Sequence, residues 1–212
     1  MEPFSWMLTL FGAYLLGSIP TGYLVARTRG IDIRQVGSGN IGATNVVRVL
    51  GKPVGVAVLL ADVLKGWLAV VLIPDLSFSL LGLEPAGSAR EHHQLLAALA
   101  AVLGHNYTLW LRFRGGKGIA TSAGVLLALV PWALLIITLV WVVVMALTRY
   151  VSLASICASL VLPFACWLTG ESRTLIWVTA GMAALAIFKH RPNILRLLKG
   201  TESRFGVKEA PQ

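Results

Sequence analysis

Carboxylates are scarce in this chain: nine Asp and Glu stand against eighteen Lys and Arg in 212 residues. Asp32, Asp62 and Asp75 are isolated from one another along the sequence. That argues against a phosphatidyl-transferring enzyme, which needs a cluster of aspartates to hold divalent metal. Cysteine is nearly absent. Cys157 and Cys166 share one apolar run and read as packed thiols, neither a disulfide nor a metal pair. His92 and His93 have no carboxylate cluster to complete a metal site, so no metal is expected. Charged residues of all kinds reach only 13%, against 57% hydrophobic, which excludes an ordinary soluble domain and points to a membrane protein. At roughly 20 residues per crossing the length accommodates about seven spans and no sizeable soluble part. A single domain over residues 1–212 is expected.

Apolar runs fall near 4–26, 53–73, 94–111, 119–131, 132–148, 151–169 and 174–188. The first has no basic residues before it and no small-residue cleavage site after it, so it reads as a retained span and not a signal peptide. The stretch 119–148 is too long for one crossing, and Pro131 offers the place to turn. Positive charge tests the count, because cytoplasmic loops are enriched in Lys and Arg. With seven spans and the N-terminus outside, one side receives Arg27, Arg29, Arg34, Arg48, Lys52, Arg112, Arg114, Lys117, Arg149, Lys189, Arg191, Arg196, Lys199, Arg204 and Lys208, fifteen of the eighteen basic residues. Lys65 lies within a span, and Arg90 and Arg173 fall on the other side. Six spans would place the basic tail outside. The expected fold is therefore all-α, a polytopic integral membrane protein of seven transmembrane helices with a cytoplasmic C-terminus. The net charge of +9 needs no nucleic acid to explain it.

Three polar strings share the expected cytoplasmic face. The first, GSGNIGATN at residues 37–45, precedes a helix expected from about Ile41. Glycines ahead of a helix let several backbone N–H groups point one way, and the helix dipole favours an anion there. The second, RFRGGKGIATS at 112–122, repeats that logic with Gly115, Gly116, Lys117 and Gly118. It is not a P-loop, because Gly118 follows Lys117 where that motif has Ser or Thr. Gly39 and Gly116 are the positions where a positive φ is expected. The third, KHRPNILRLLKGTE at 189–202, carries His190 and Asn193, a proton carrier or donor and a two-way hydrogen-bonding amide. Against these readings stand plain loop packing for the glycines, a helix cap for His190, and headgroup anchoring for Arg191, Arg196 and Lys199. His105 lies just inside the cytoplasmic end of the third span, and Ser152 and Ser155 at the start of the sixth. Asp62 and Lys65, three apart within a span, form either an ion pair or a functional pair. Two anion cradles and a histidine at a membrane boundary suggest two phosphorylated substrates meeting there.

These strings, together with GSIPTGYL, DVLKG and SLASI in that order, resemble the signature motifs of the bacterial acyl-phosphate-dependent glycerol-3-phosphate acyltransferases, the PlsY family. The resemblance runs from about Leu16 to Glu202. It implies a seven-span inner-membrane enzyme with its active site at the cytoplasmic face, working without cofactor or metal. The implied reaction moves a fatty acyl group from acyl phosphate to the 1-hydroxyl of sn-glycerol 3-phosphate, giving lysophosphatidic acid and inorganic phosphate in phospholipid biosynthesis. Besides membrane lipid, the implied partner is the phosphate acyltransferase of PlsX type that makes acyl phosphate. The substrate-binding residues it implies are Gly37, Ser38, Gly39, Asn40, Thr44, Asn45, Arg48, His105, Gly115, Gly116, Lys117, Gly118, Ser155, His190 and Asn193. Ser38 and its neighbouring glycines would hold the acyl phosphate, and Arg48, Lys117, Ser155, His190 and Asn193 the glycerol 3-phosphate. Ser38, Lys117, His190 and Asn193 are the implied catalytic set.

An acyl phosphate is a mixed anhydride, already activated, so direct attack by the glycerol hydroxyl needs no enzyme nucleophile and the protein positions and neutralises charge. The proton passes either to His190 or to a substrate phosphate oxygen, whose second pKa of about 6 makes it a competent acceptor; the substrate is favoured. The rival function is a transporter of a phosphorylated solute, a class marked by internal repeats and midplane sites. No repeat at half the chain length is visible here.

Overall fold

The computed structural model describes residues 2–85 and 87–206. Among them are eleven α-helices, one 3-10 turn and no strand. The chain forms two compact units, 1–129 and 130–212.

In the first unit, α1 (Glu2–Ser18) and α2 (Thr21–Arg27) replace the single first run, because Pro20 has no N–H to continue the helix. A loop leads to α3 (Ala43–Leu50), then α4 (Lys52–Val71), α5 (Ile73–Leu80), α6 (Ala89–Asn106), the turn Leu109–Leu111 and α7 (Ile119–Leu129). Helix α1 packs along α6, and α4 along α7. Both contacts rest on small residues. A Cβ on Gly17 would overlap the Ala101 carbonyl and one on Gly104 the Tyr14 carbonyl; Gly66 meets Thr121, and Gly124 meets Val63, in the same way. Ala13, Ala69, Ala97, Ala100 and Ala101 form the core between them. Such close backbone approach is how helices associate where lipid supplies no hydrophobic drive. The segment between the second and third apolar runs, 74–93, is partly helical, and His93 is buried in α6, stacked on Trp6 at 3.9 Å.

In the second unit, α8 (Pro131–Thr148) begins at the expected proline. Helix α9 (Val151–Leu168) packs against both α8 and α10 (Arg173–Lys189), and α11 (Arg191–Leu198) follows. Ser172 caps α10 by accepting the Leu175 amide at 3.3 Å.

Four helical stretches among the described residues are long and apolar enough to cross a membrane: Glu2–Arg27, Lys52–Leu80, Pro131–Thr148 and Val151–Leu168. Helix α7 has 11 residues, about 16 Å at 1.5 Å per residue, roughly half a bilayer core.

Candidate active site

In the first string a single side chain shapes the loop. Asn45 is 1% exposed. Its Nδ2 donates to the carbonyls of Ile33, Val36 and Asn40 at 3.2, 3.0 and 2.9 Å, and its Oδ1 accepts the Ser38 amide at 2.8 Å. Gly37 and Gly39 turn at φ +59° and +68°, in the left-handed region that glycine enters freely. A Cβ on Gly37 would also overlap Asn45 Oδ1. The amides of Ser38, Gly39 and Gly42 are engaged within the loop, the last two by Val36 O and Asn40 Oδ1. The helix starts at Ala43, with Gly42 as its cap, and not at Ile41. First-turn amides have no intrahelical acceptor, which makes those of Ala43 and Thr44 candidate anion donors beside the loop. Asp32 takes up two of the nearby cations: Arg34 donates to it at 2.9 and 2.7 Å, and Arg27 lies 3.6 Å away. The Arg34 guanidinium lowers the Asp32 carboxyl to about 2 despite partial burial.

The second string folds back on the end of α6. Arg112 and Phe113 reverse the chain at positive φ; Gly115 N then donates to Asn106 O at 3.2 Å and Gly116 N to His105 O at 3.1 Å. Gly116 lies outside the left-handed region. What requires glycine there is the His105 ring, since a Cβ would overlap Nε2. Gly118 does turn at φ +80°. Beneath this loop lies a buried polar group. Lys65 Nζ is 2.8 Å from Asp62 Oδ1, 2.8 Å from the Ile19 carbonyl and 3.0 Å from His105 Nδ1, and Thr21 donates to Asp62 at 3.0 Å. Asp62 and Lys65 are therefore paired with one another, and His105 joins them.

In the second unit, His190 closes α10 and opens α11, with Nδ1 2.7 Å from the Ala186 carbonyl. A carbonyl only accepts, so Nδ1 carries a proton, and Nε2 is an acceptor in the neutral ring and a donor in the imidazolium. Asn193 Nδ2 donates to Glu202 Oε1 at 2.7 Å; Ser152 donates to the same oxygen at 2.6 Å and Arg196 Nε to Oε2 at 2.7 Å. Burial pushes the Glu202 carboxyl up, but these three donors outweigh it and hold it below the ordinary glutamate range. Arg196, read from sequence as a headgroup anchor, has an internal partner. Ser155 Oγ donates to Val151 O at 2.9 Å and accepts Trp141 Nε1 at 3.2 Å. Glu202 was missed in the sequence although it ends the third string; the signal was a lone carboxylate among basic residues. Lys208 lies outside the described residues.

A sequence profile described as glycerol-3-phosphate acyltransferase matches residues 7–200. The chain belongs to the glycerol-3-phosphate acyltransferase family. The family member from Geotalea daltonii is 46% identical over 95% of this chain and 98% of its own. That from Desulforudis audaxviator is 48% identical over 99% and 100%. The crystal structure of PlsY (YgiH), an integral membrane glycerol 3-phosphate acyltransferase, in its glycerol 3-phosphate form superposes with a TM-score of 0.83 at 40% identity, covering 95% of this chain and 96% of that one. Its lysophosphatidic acid form gives 0.81 at 39%. This PlsY-family chain is thus an all-helical integral membrane glycerol-3-phosphate acyltransferase, and its place is in phospholipid biosynthesis.

Proposed function

We propose that this glycerol-3-phosphate acyltransferase takes its fatty acyl group from acyl phosphate and places it on the 1-hydroxyl of sn-glycerol 3-phosphate, releasing lysophosphatidic acid and inorganic phosphate. The observation that carries this reading is the likeness, at 40% identity over 95% of the chain, to an acyltransferase solved in a glycerol 3-phosphate form. The first turn of α3, shaped by Asn45 and bounded by Ser38, receives the acyl phosphate. Arg48, Lys117, Ser155, His190 and Asn193 receive glycerol 3-phosphate. The hydroxyl attacks the acyl carbonyl, the C–O bond to phosphate breaks, and the phosphate leaves; its charge is met by backbone amides and cations rather than by a covalent enzyme intermediate. A substrate phosphate oxygen takes the hydroxyl proton, and His190 donates from Nε2 as the imidazolium, its Nδ1–H being held by Ala186 O.

The same reading makes the chain one seven-span domain of the bacterial inner membrane, N-terminus outside and chemistry at the cytoplasmic face, supplied by a PlsX-type enzyme. A cysteine introduced within residues 75–92 should react with an impermeant reagent from the outer side only. Supplying purified protein with acyl phosphate, acyl-CoA or acylated carrier protein as sole donor tests the chemistry. Product from acyl phosphate alone is expected; product from acyl-CoA alone would overturn the donor.

A further inference from the structure

The Lys65 ammonium has three protons and meets three acceptors: Asp62 Oδ1, Ile19 O and His105 Nδ1, at 2.8, 2.8 and 3.0 Å. An ammonium only donates, so His105 Nδ1 is the accepting nitrogen and the ring proton sits on Nε2. That nitrogen is the one lying against Gly116. The main chain of the same histidine holds the turn from the other side, since its carbonyl accepts the Gly116 amide at 3.1 Å. Lys65 reaches the first string too. Ile19 O stands at the break before α2, and α2 supports the loop at 37–45, where Gly22 packs directly against the Ile41 carbonyl. The three side chains are buried: Lys65 is 5% exposed, Asp62 2% and His105 5%.

We propose that Lys65 is a positioning residue for both phosphate cradles, acting through His105, which it fixes as the Nε2–H tautomer beneath the Gly116 turn. The proposal rests on the reading of residues 115–118 as a phosphate-binding turn. Asp62 orients Lys65 by accepting from it at 2.8 Å, and Thr21 orients Asp62 by donating to it at 3.0 Å. Buried polar groups that fix a ring's orientation from behind act on geometry, and a small displacement of a substrate-binding turn is enough to slow a positioning enzyme strongly.

The tautomer is tested first, on the unaltered protein, by 15N spectroscopy of histidine-labelled enzyme in lipid, with the His105 signals assigned through His105→Gln. A bare Nδ1 and a protonated Nε2 at neutral pH are expected; a protonated Nδ1 would overturn the proposal by itself. The second test removes both charges together, because removing one alone leaves the other buried and unpaired. Asp62→Asn/Lys65→Met should give a folded protein by circular dichroism and gel filtration whose kcat/KM for glycerol 3-phosphate falls roughly a hundredfold, and whose His105 signals show both tautomers. Adding His105→Ala to that variant should change kcat/KM by no more than about twofold, where independent sites would give additive losses. Normal turnover in the double variant, or additive losses, would sink the coupling. Failure of the unaltered protein to acylate glycerol 3-phosphate would count against the proposed function and leave the tautomer measurement standing.

Discussion

Asn193 and Glu202 are joined by a hydrogen bond of 2.7 Å from the side-chain amide to Oε1, so the amide is oriented by a carboxylate that two further groups hold in place. A carboxylate only accepts, which turns Nδ2 toward it and fixes where Oδ1 points. Glu202→Gln should therefore disturb Asn193 as well as stability, lowering thermal stability in detergent by about 2–3 kcal/mol and kcat by at least about tenfold. The sign of the pH effect follows from a folded pKa below the ordinary glutamate value. The contribution is fully present above the unfolded value of about 4.3 and is lost only as pH falls through the lower folded one. The stability gap between parent and Glu202→Gln should thus stay constant from pH 8 to about 5. A gap that closes above pH 6 would contradict the geometry.

Asp32 is also held below its ordinary range, at about 2 in the folded protein, by the Arg34 guanidinium. Its contribution should persist down to about pH 4 and vanish between about 4 and 2, measured as the difference in unfolding temperature between parent and Asp32→Asn. Activity at neutral pH should change little in that variant, since Asp32 holds Arg27 and Arg34 and no implied substrate ligand.

Asn45→Ala removes the acceptor of the Ser38 amide and the donor to three carbonyls. It should raise KM for the acyl donor by about tenfold or more with helicity unchanged. Gly37→Ala should act in the same direction through the side chain of Asn45, whereas Gly116→Ala should raise KM for glycerol 3-phosphate through that of His105. Near-normal kinetics in all three would make these loops packing elements.

Lys117→Ala and Arg48→Ala should each raise KM for glycerol 3-phosphate by about tenfold to a hundredfold, the cost of one charge-assisted contact. Arg204→Ala, whose guanidinium lies 5.3 Å over the Tyr150 ring, should leave KM within about twofold. Equal effects would mean that bulk positive charge draws the substrate.

His190→Gln can place an amide N–H near the position of Nε2, whereas His190→Asn reaches only that of Nδ1. With the proton going to a substrate phosphate, Gln should retain more activity than Asn, and Ala should lose about a hundredfold. The kcat profile should follow a pKa near 6 in parent and Gln variant alike. Loss of the acidic limb in the variant would make His190 the base.

The three strings and the turn at Pro131 were legible because each depends on residue types whose local preferences are strong: glycine runs, a proline, basic residues beside them. The break at Pro20 was masked by apolar residues on both sides, which read as one run of 4–26. Asn45 and Glu202 act as acceptors and donors for backbone and side chains that only folding brings near, so composition could mark them as polar and not as organisers. Gly116 was recognised for the wrong reason. The need for glycine there comes from a ring on α6, eleven residues earlier, and no rule about local φ could show it.

Asp62 and Lys65 sit one turn apart on α4, and their pair closes as soon as that helix forms. During synthesis the segment must leave the translocon for lipid before its neighbours are all in place, and each charge alone would oppose that step by about 3 kcal/mol. Meeting within the helix, the two enter as a dipole rather than as two ions. The segment thus carries its own counterion into the bilayer, and the moment at which His105 of α6 arrives to complete the group ceases to matter for insertion.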